Sequence, residues 1–333
     1  MLDKEVHKLT YPFLFKFVEV IQNTDLGATS KKNYEHRLHR LVQVTNKDID
    51  WVLSNCMKTL DILKKQNITE PQSLKALINS ILTLFKHTKN LKLKRKKEYT
   101  CWIQQFKIVN AKAEEKYDKI QPSKRQIEAY VPWNDIILKR DELDKDSNAY
   151  LLLCLYTMLP PARADMNCVK IVSKSKLTDA EIKKHPNHII VLPTGMKLVY
   201  NEFKTKSRKL QRYEKVLPQE LVDVIQHSLK IKPREYLIVS PKTNNPYIKS
   251  NSFTQYFDRL LTSIFKKRMS INTLRHSFVN SVDMNKVTPL EKELLARDMM
   301  HSPEMFDRYR LVIPAEQSDD KKAKVCDVVC RDA

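Results

Sequence analysis

Two glycines, Gly27 and Gly195, are all that the 333-residue chain contains. Dinucleotide-binding Gly-x-Gly-x-x-Gly turns and glycine-rich phosphate loops need several glycines close together, because a backbone can wrap a phosphate only where no Cβ intervenes. Both are excluded, so any phosphate this chain handles is gripped by side chains. Cysteine is sparse too: six, at 56, 101, 154, 168, 326 and 330, with no Cys-x-x-Cys. That spacing indicates neither a disulfide framework nor a zinc knuckle, and the thiols are expected to be reduced. Cys154, inside Leu151-Leu152-Leu153-Cys154-Leu155, reads as a small core residue. His185 and His188 could form half a metal site, but no nearby Cys or His completes it, and no metal or other cofactor is expected. Long apolar runs are missing as well. The longest, Ala149 to Leu159, falls far short of the roughly 20 residues that cross a bilayer. Met1-Leu2-Asp3-Lys4-Glu5 lacks a signal-peptide apolar core. The expectation is a soluble, intracellular protein with no membrane partner.

Acidic residues are in deficit. Against 39 Asp and Glu stand 60 Lys and Arg, a formal charge of +21 with neutral histidines. An excess of a few lysines would merely solubilise the chain, whereas +21 sustains a positive potential over much of the surface and points to a polyanionic partner, nucleic acid rather than an anionic membrane.

The apolar spacing predicts a mainly α chain with a small antiparallel sheet. Helical periodicity runs through Tyr11 to Ile21, Tyr34 to Val44 and Ile49 to Leu63. A capping-box start at Thr69-Glu70-Pro71-Gln72 leads into Leu74, Leu77, Ile78, Ile81, Leu82 and Phe85. Four or five helices fit residues 1 to about 117, and the polar stretch ending in Gln121-Pro122-Ser123 places a domain boundary near 122. The basic cluster Lys92, Lys94, Arg95, Lys96 and Lys97 sits between elements of this bundle and is read as phosphate-backbone contact rather than as a solvated face. The second domain, 123–333, begins with helices at Trp133 to Leu143 and Asn148 to Leu159. It then switches to short β-rich runs, His188 to Leu192, Lys197 to Tyr200 and Arg212 to Leu217. Helical patterns return at Leu217 to Leu229, Ser252 to Ile264, Asn272 to Val282 and Pro289 to Met300. A tail from about 313 carries Val325, Val328 and Val329 at a spacing that puts them on one helical face.

The chemistry is concentrated in a few positions. Pro160-Pro161-Ala162-Arg163 offers an isolated arginine; Leu274-Arg275-His276-Ser277-Phe278, His301-Ser302 and Tyr309 follow in the last third. Arginine forks bind non-bridging phosphate oxygens, histidine adds a donor, and a phenol can attack phosphorus to store the bond energy in a covalent intermediate. In this order, with lysines in a turn between strands, the chain resembles the tyrosine recombinase (phage integrase) family. The likeness extends to the integrases of virophages and large DNA viruses. It covers roughly residues 123 to 310 by motif and the remainder by architecture.

The resemblance implies an N-terminal helical core-binding domain, 1–122, and a catalytic domain that together clamp double-stranded DNA, working as a homotetramer on DNA and drawn from monomers in solution. It implies cleavage and rejoining through a 3′-phosphotyrosine, without metal or nucleotide. On this reading Arg163 and Arg275 are the two catalytic arginines, His301 the last phosphate-binding histidine and Tyr309 the nucleophile. Lys204 or Lys206 protonates the leaving 5′ oxygen, with Lys204 favoured by its place at a strand end; Lys206 and Arg208 would contact DNA. The chain departs from the family pattern twice. Met166 stands where an acid usually follows the first arginine, with Asp165 one residue early, and Asn272 replaces the usual histidine three residues before Arg275. An amide cannot take the phenol proton as imidazole can, so Asn272 can only position by hydrogen bonding. His276, adjacent to Arg275, is expected to be structural, because consecutive helix residues point about 100° apart. Two other readings stand beside this one. A type IB topoisomerase is disfavoured because Met305-Phe306-Asp307-Arg308-Tyr309 lacks the Ser-Lys-x-x-Tyr motif. A non-catalytic DNA-binding protein of the same fold remains open through Asn272.

Overall fold

The computed structural model describes residues 11–118, 122–203, 205–206 and 211–313. Lys204, Arg208 and the tail that carries Val325, Val328 and Val329 lie outside them. The chain divides into two compact units, Met1–Lys119 and Ile120–Ala333.

The first unit is all helix: α1 (Pro12–Gln22), α2 (Ala28–Thr45), α3 (Ile49–Ser54), α4 (Cys56–Lys65), α5 (Pro71–His87), α6 (Leu91–Lys94) and α7 (Lys96–Asp118). Their periodic apolar faces close on one core that includes Leu14, Phe17, Leu38, Leu41, Ile78 and Ile81. Buried Trp102 of α7 donates its indole N–H to the Leu53 carbonyl at 3.1 Å. A single carboxylate starts two helices: Asp48 accepts from Ile49 N at the head of α3 and from Phe13 N and Leu14 N at the head of α1. Two local expectations change. The segment from Ile49 to Leu63 is broken at Asn55, whose side-chain amide bonds back to the Trp51 carbonyl (3.0 Å) and competes with the helix ladder. The N-cap before Pro71 is Glu70, without a side-chain cap, so the capping box read at Thr69 does not form. The described part of the bundle therefore has more and shorter helical segments than the four or five expected.

The second unit opens with α8 (Lys124–Ala129), capped by Ser123, then α9 (Trp133–Asp141) and α10 (Asn148–Thr157). From Leu151 to Thr157 every residue of α10 is buried, making it the axis of the unit's core. The strands are β1 (Lys170–Ser173), β2 (Asn187–Leu192), β3 (Gly195–Tyr200) and β4 (Tyr213–Val216), with α11 (Asp179–Lys184) between the first two. The order is β1-β2-β3-β4, and β1 runs parallel to β2 with Lys170 opposite His188; the remaining pairs are antiparallel. The sheet is thus mixed rather than antiparallel. β1 is four residues long with only Val172 buried, too short to show an alternation, and nothing local signals its parallel partner. Helices α12 (Gln219–Ile231), α13 (Ser250–Phe265), α14 (Ile271–Ser281), α15 (Pro289–Asp298) and α16 (Pro303–Asp307) complete the unit. No helix among the described residues is long and apolar enough to cross a membrane.

Candidate functional site

The site is built where α15 ends. Met300 takes a left-handed conformation (φ 59°), its N–H reaching the Arg297 carbonyl and the His301 N–H the Ala296 carbonyl at 3.0 Å. This is a Schellman close with methionine where glycine is usual, and it leaves the carbonyls of Met299 and Met300 without helical partners. Those two oxygens hold the arginines. Arg275 Nη1 donates to Met299 O (3.1 Å) and to Pro161 O (2.9 Å), and Arg163 Nη1 donates to Met300 O (3.2 Å). Thr205, in the loop between β3 and β4, donates its hydroxyl to the same Met300 oxygen at 2.7 Å. Asp298, the last residue of α15, is clamped to β4 by the Tyr213 hydroxyl (3.1 Å) and Lys215 Nζ (2.6 Å).

Arg163 reaches this place because Pro160 and Pro161 cannot continue α10. The turn is pinned by the Tyr156 hydroxyl, which donates to the Arg163 carbonyl at 2.6 Å. Arg275 comes from the buried face of α14 and is itself fully buried. Desolvation lowers its affinity for a proton, opposed by the neighbouring Tyr309 phenol, but a guanidinium keeps its charge. Its Nε and Nη2 are buried without a hydrogen-bond acceptor, and His301 Nε2 is buried without any hydrogen-bond partner.

Tyr309, carried just past α16, is 7% exposed, and two of these groups lie against its ring. His301 stacks on it at 5.2 Å between centroids and 12° between planes, while the Arg275 guanidinium sits 4.6 Å from the ring centre. The phenol donates to Asn272 Oδ1 at 3.1 Å. His301 Nδ1 faces the Ser302 carbonyl (3.2 Å) and so carries the proton of the neutral ring. Burial, then the charges of Arg275 and Arg163, push its pKa down to about 3. The free site therefore holds two cations, a neutral imidazole with a bare Nε2, and a phenol.

Arg163, Asn272, Arg275, His301 and Tyr309 thus converge. Lys206 does not join them: it makes an exposed ion pair with Glu202 (2.7 Å). Within the basic cluster, Arg95 is spent on the bundle, its fork holding Asp50 Oδ1 (2.6 Å), Asp50 O and Ser54 Oγ. Its role is structural rather than phosphate-facing. Lys92, Lys94, Lys96 and Lys97 are exposed, with Lys92 over the Tyr99 ring at 4.6 Å in a groove also lined by Lys86, His87 and Lys89.

His276 also reaches Tyr309. Its Nδ1 lies 2.6 Å from the Tyr309 carbonyl oxygen and its ring 4.9 Å from the Tyr309 ring. His276 follows Asn272 by four residues and shares its helix face. No local sequence pattern ties Gln126, which touches His276, or Thr205 to the motif. Lys32, His36, His39 and Arg40 line one face of α2 together with Glu35, at a helical spacing legible in the sequence.

No protein-family model matches the sequence, and no curated protein matches it. Among solved structures, the chain is similar to a lambda integrase fragment (residues 75–356), solved as a dimer bound to a COC′ core site. The TM-score is 0.56 at 13% identity, over 94% of this chain and 98% of that one. XerA recombinase aligns with a TM-score of 0.38 at 14% identity, over 90% and 93% of the two chains. The likeness to the lambda integrase fragment is one of fold, which in this chain is mostly helical with a small mixed four-stranded sheet.

Proposed function

We propose that this protein is a site-specific DNA recombinase that cleaves and rejoins double-stranded DNA through a 3′-phosphotyrosine at Tyr309. The observation that carries the reading is the set of orphaned polar atoms around the phenol. Arg275 Nε, Arg275 Nη2 and His301 Nε2 are buried without partners, and Arg163 stands beside them on the same helix end. Leaving buried donors such as the two Arg275 nitrogens unsatisfied costs roughly 1–3 kcal/mol each, so they make sense as a cradle for an anion supplied from outside, which His301 Nε2 joins once it takes up a proton.

A phosphodiester placed there receives the Arg275 fork and, once its charge favours the imidazolium, the His301 Nε2–H. The Tyr309 oxygen attacks phosphorus, the P–O5′ bond breaks, and the phenol proton passes to water or a phosphate oxygen. Lys204, or Lys206 after leaving Glu202, protonates the departing 5′ oxygen. Rejoining is the reverse, with a 5′ hydroxyl attacking the phosphotyrosine, so the bond energy is kept and neither nucleotide nor metal is required. Donors of this kind are worth about 10²–10³ each in rate. Lys92, Lys94, Lys96, Lys97, Arg208 and the basic face of α2 supply backbone contacts in this reading. Exchange between two sites calls for a tetramer on DNA, and insertion of a viral or other mobile genome, in the host nucleus where the host has one, is the setting it suggests.

The test is a suicide DNA substrate that traps covalent protein. Wild type should accumulate an adduct in EDTA, while Tyr309→Phe should bind the same DNA and form none. An undiminished adduct in the variant, or cleavage that depends strictly on Mg²⁺, would remove the assignment.

A further inference from the structure

The Asn272 amide can meet the Tyr309 phenol in two orientations, and they differ chemically. With Oδ1 toward the phenol, the O–H is held and the oxygen's lone pairs stay free to attack. With the NH₂ toward it, a lone pair is engaged by a donor.

A chain of hydrogen bonds beginning at α8 selects between them. The Ser123 backbone N–H (2.9 Å) and hydroxyl (2.8 Å) both donate to Gln126 Oε1. The Gln126 NH₂ is therefore the group that faces His276 Nε2, at 3.4 Å. An amide nitrogen only donates, so Nε2 accepts and the imidazole proton sits on Nδ1. The opposite side of the ring demands the same tautomer, because the Tyr309 carbonyl 2.6 Å from Nδ1 can only accept. With Nε2 an acceptor, the Asn272 atom lying 3.4 Å from it is the NH₂, which leaves Oδ1 for the phenol at 3.1 Å.

We infer that His276, locked as its Nδ1–H tautomer between Gln126 and the Tyr309 carbonyl, is a positioning residue that turns the oxygen of Asn272 toward the nucleophile. The role rests on the reading of Tyr309 as nucleophile, and it accounts for how an asparagine serves at that position. The ring stays neutral in this setting: burial lowers its proton affinity first, the Arg275 charge lowers it further, and only the Tyr309 carbonyl opposes them.

Gln126→Glu tests it. A glutamate keeps both Ser123 contacts, since Ser-x-x-Glu is the usual capping box, but its second oxygen faces Nε2 and favours a proton there. The imidazolium then donates on both sides, and Asn272 must reverse. In full-length protein with ¹⁵N-labelled histidine, NMR should show His276 protonated on Nδ1 only in wild type and on both nitrogens in Gln126→Glu at neutral pH. Adduct formation in the variant should fall about tenfold, the worth of one hydrogen bond, with unchanged DNA affinity, and recover as pH rises and the imidazolium deprotonates. Gln126→Ala, which leaves the Tyr309 carbonyl to hold the tautomer, should react within a few-fold of wild type. A wild-type His276 protonated on Nε2, with normal adducts, overturns the tautomer lock alone. A doubly protonated variant that reacts at the wild-type rate overturns the positioning role. Absence of adducts from wild type with the expected tautomer overturns the nucleophile reading and this role with it.

Discussion

His301 is the residue whose charge state DNA should change most. Its free-state pKa near 3 keeps it neutral across pH 5.5 to 7, because it is buried beside Arg275 and Arg163. A phosphate on Nε2 leaves the burial but offsets the depression with its negative charge and so raises the pKa, and binding takes up a proton wherever the bound value exceeds the solution pH. Affinity for DNA should accordingly tighten as pH falls from 7 toward 5.5, and His301→Asn should flatten the trend that remains after other histidines are accounted for. Calorimetry in buffers of different ionisation enthalpy counts the protons directly; equal uptake in wild type and His301→Asn would contradict the phosphate contact. At this scale the sequence carried much of the site. The types and order of Arg163, Asn272, Arg275, His301 and Tyr309 are visible in the chain, and the fold gathers them around one helix end. Gln126 and Thr205 were not visible, since a hydrogen-bonding partner 150 residues away from His276 leaves no periodic trace.

Elements show how a chain nearly without glycine turns its corners. Left-handed positions fall to Asn46, Asn67, Asn90 and Asn244, with Lys266 and Met300 as the other non-glycine cases among the described residues. Asparagine tolerates that region better than other side chains, and lysine does not. Lys266 closes α13 at φ 55° and is exposed, so nothing is lost by removing its side chain. Lys266→Gly should raise stability by about 0.5–1 kcal/mol, read as a higher denaturant midpoint with an unchanged m-value; a lower midpoint would mean the lysine makes an interaction that outweighs the strain. Long periodic helices such as α5 and α14 were legible within a residue or two. The break at Asn55 and the strand β1 were not, because one is decided by a side chain competing with the backbone and the other by a parallel partner beyond its own sequence neighbourhood.

For the whole molecule, +21 makes salt the governing variable. If Lys92, Lys94, Lys96, Lys97 and the α2 face meet phosphates, log affinity should fall linearly with log salt. The loss should be roughly 10³ or more between about 50 and 200 mM. A flat response would contradict backbone contact. The way the site's cations are held bears on this long-range attraction. Among the described residues no carboxylate forms a salt bridge with Arg163 or Arg275; carbonyl oxygens at the end of α15 hold them instead. A dipole's field decays faster with distance than that of a full charge, so these carbonyls steady the guanidinium groups at close range while cancelling little of their potential farther out. To a polyanion still several ångströms away, guanidinium groups held by carbonyls present more of their positive charge than carboxylate partners would have left them.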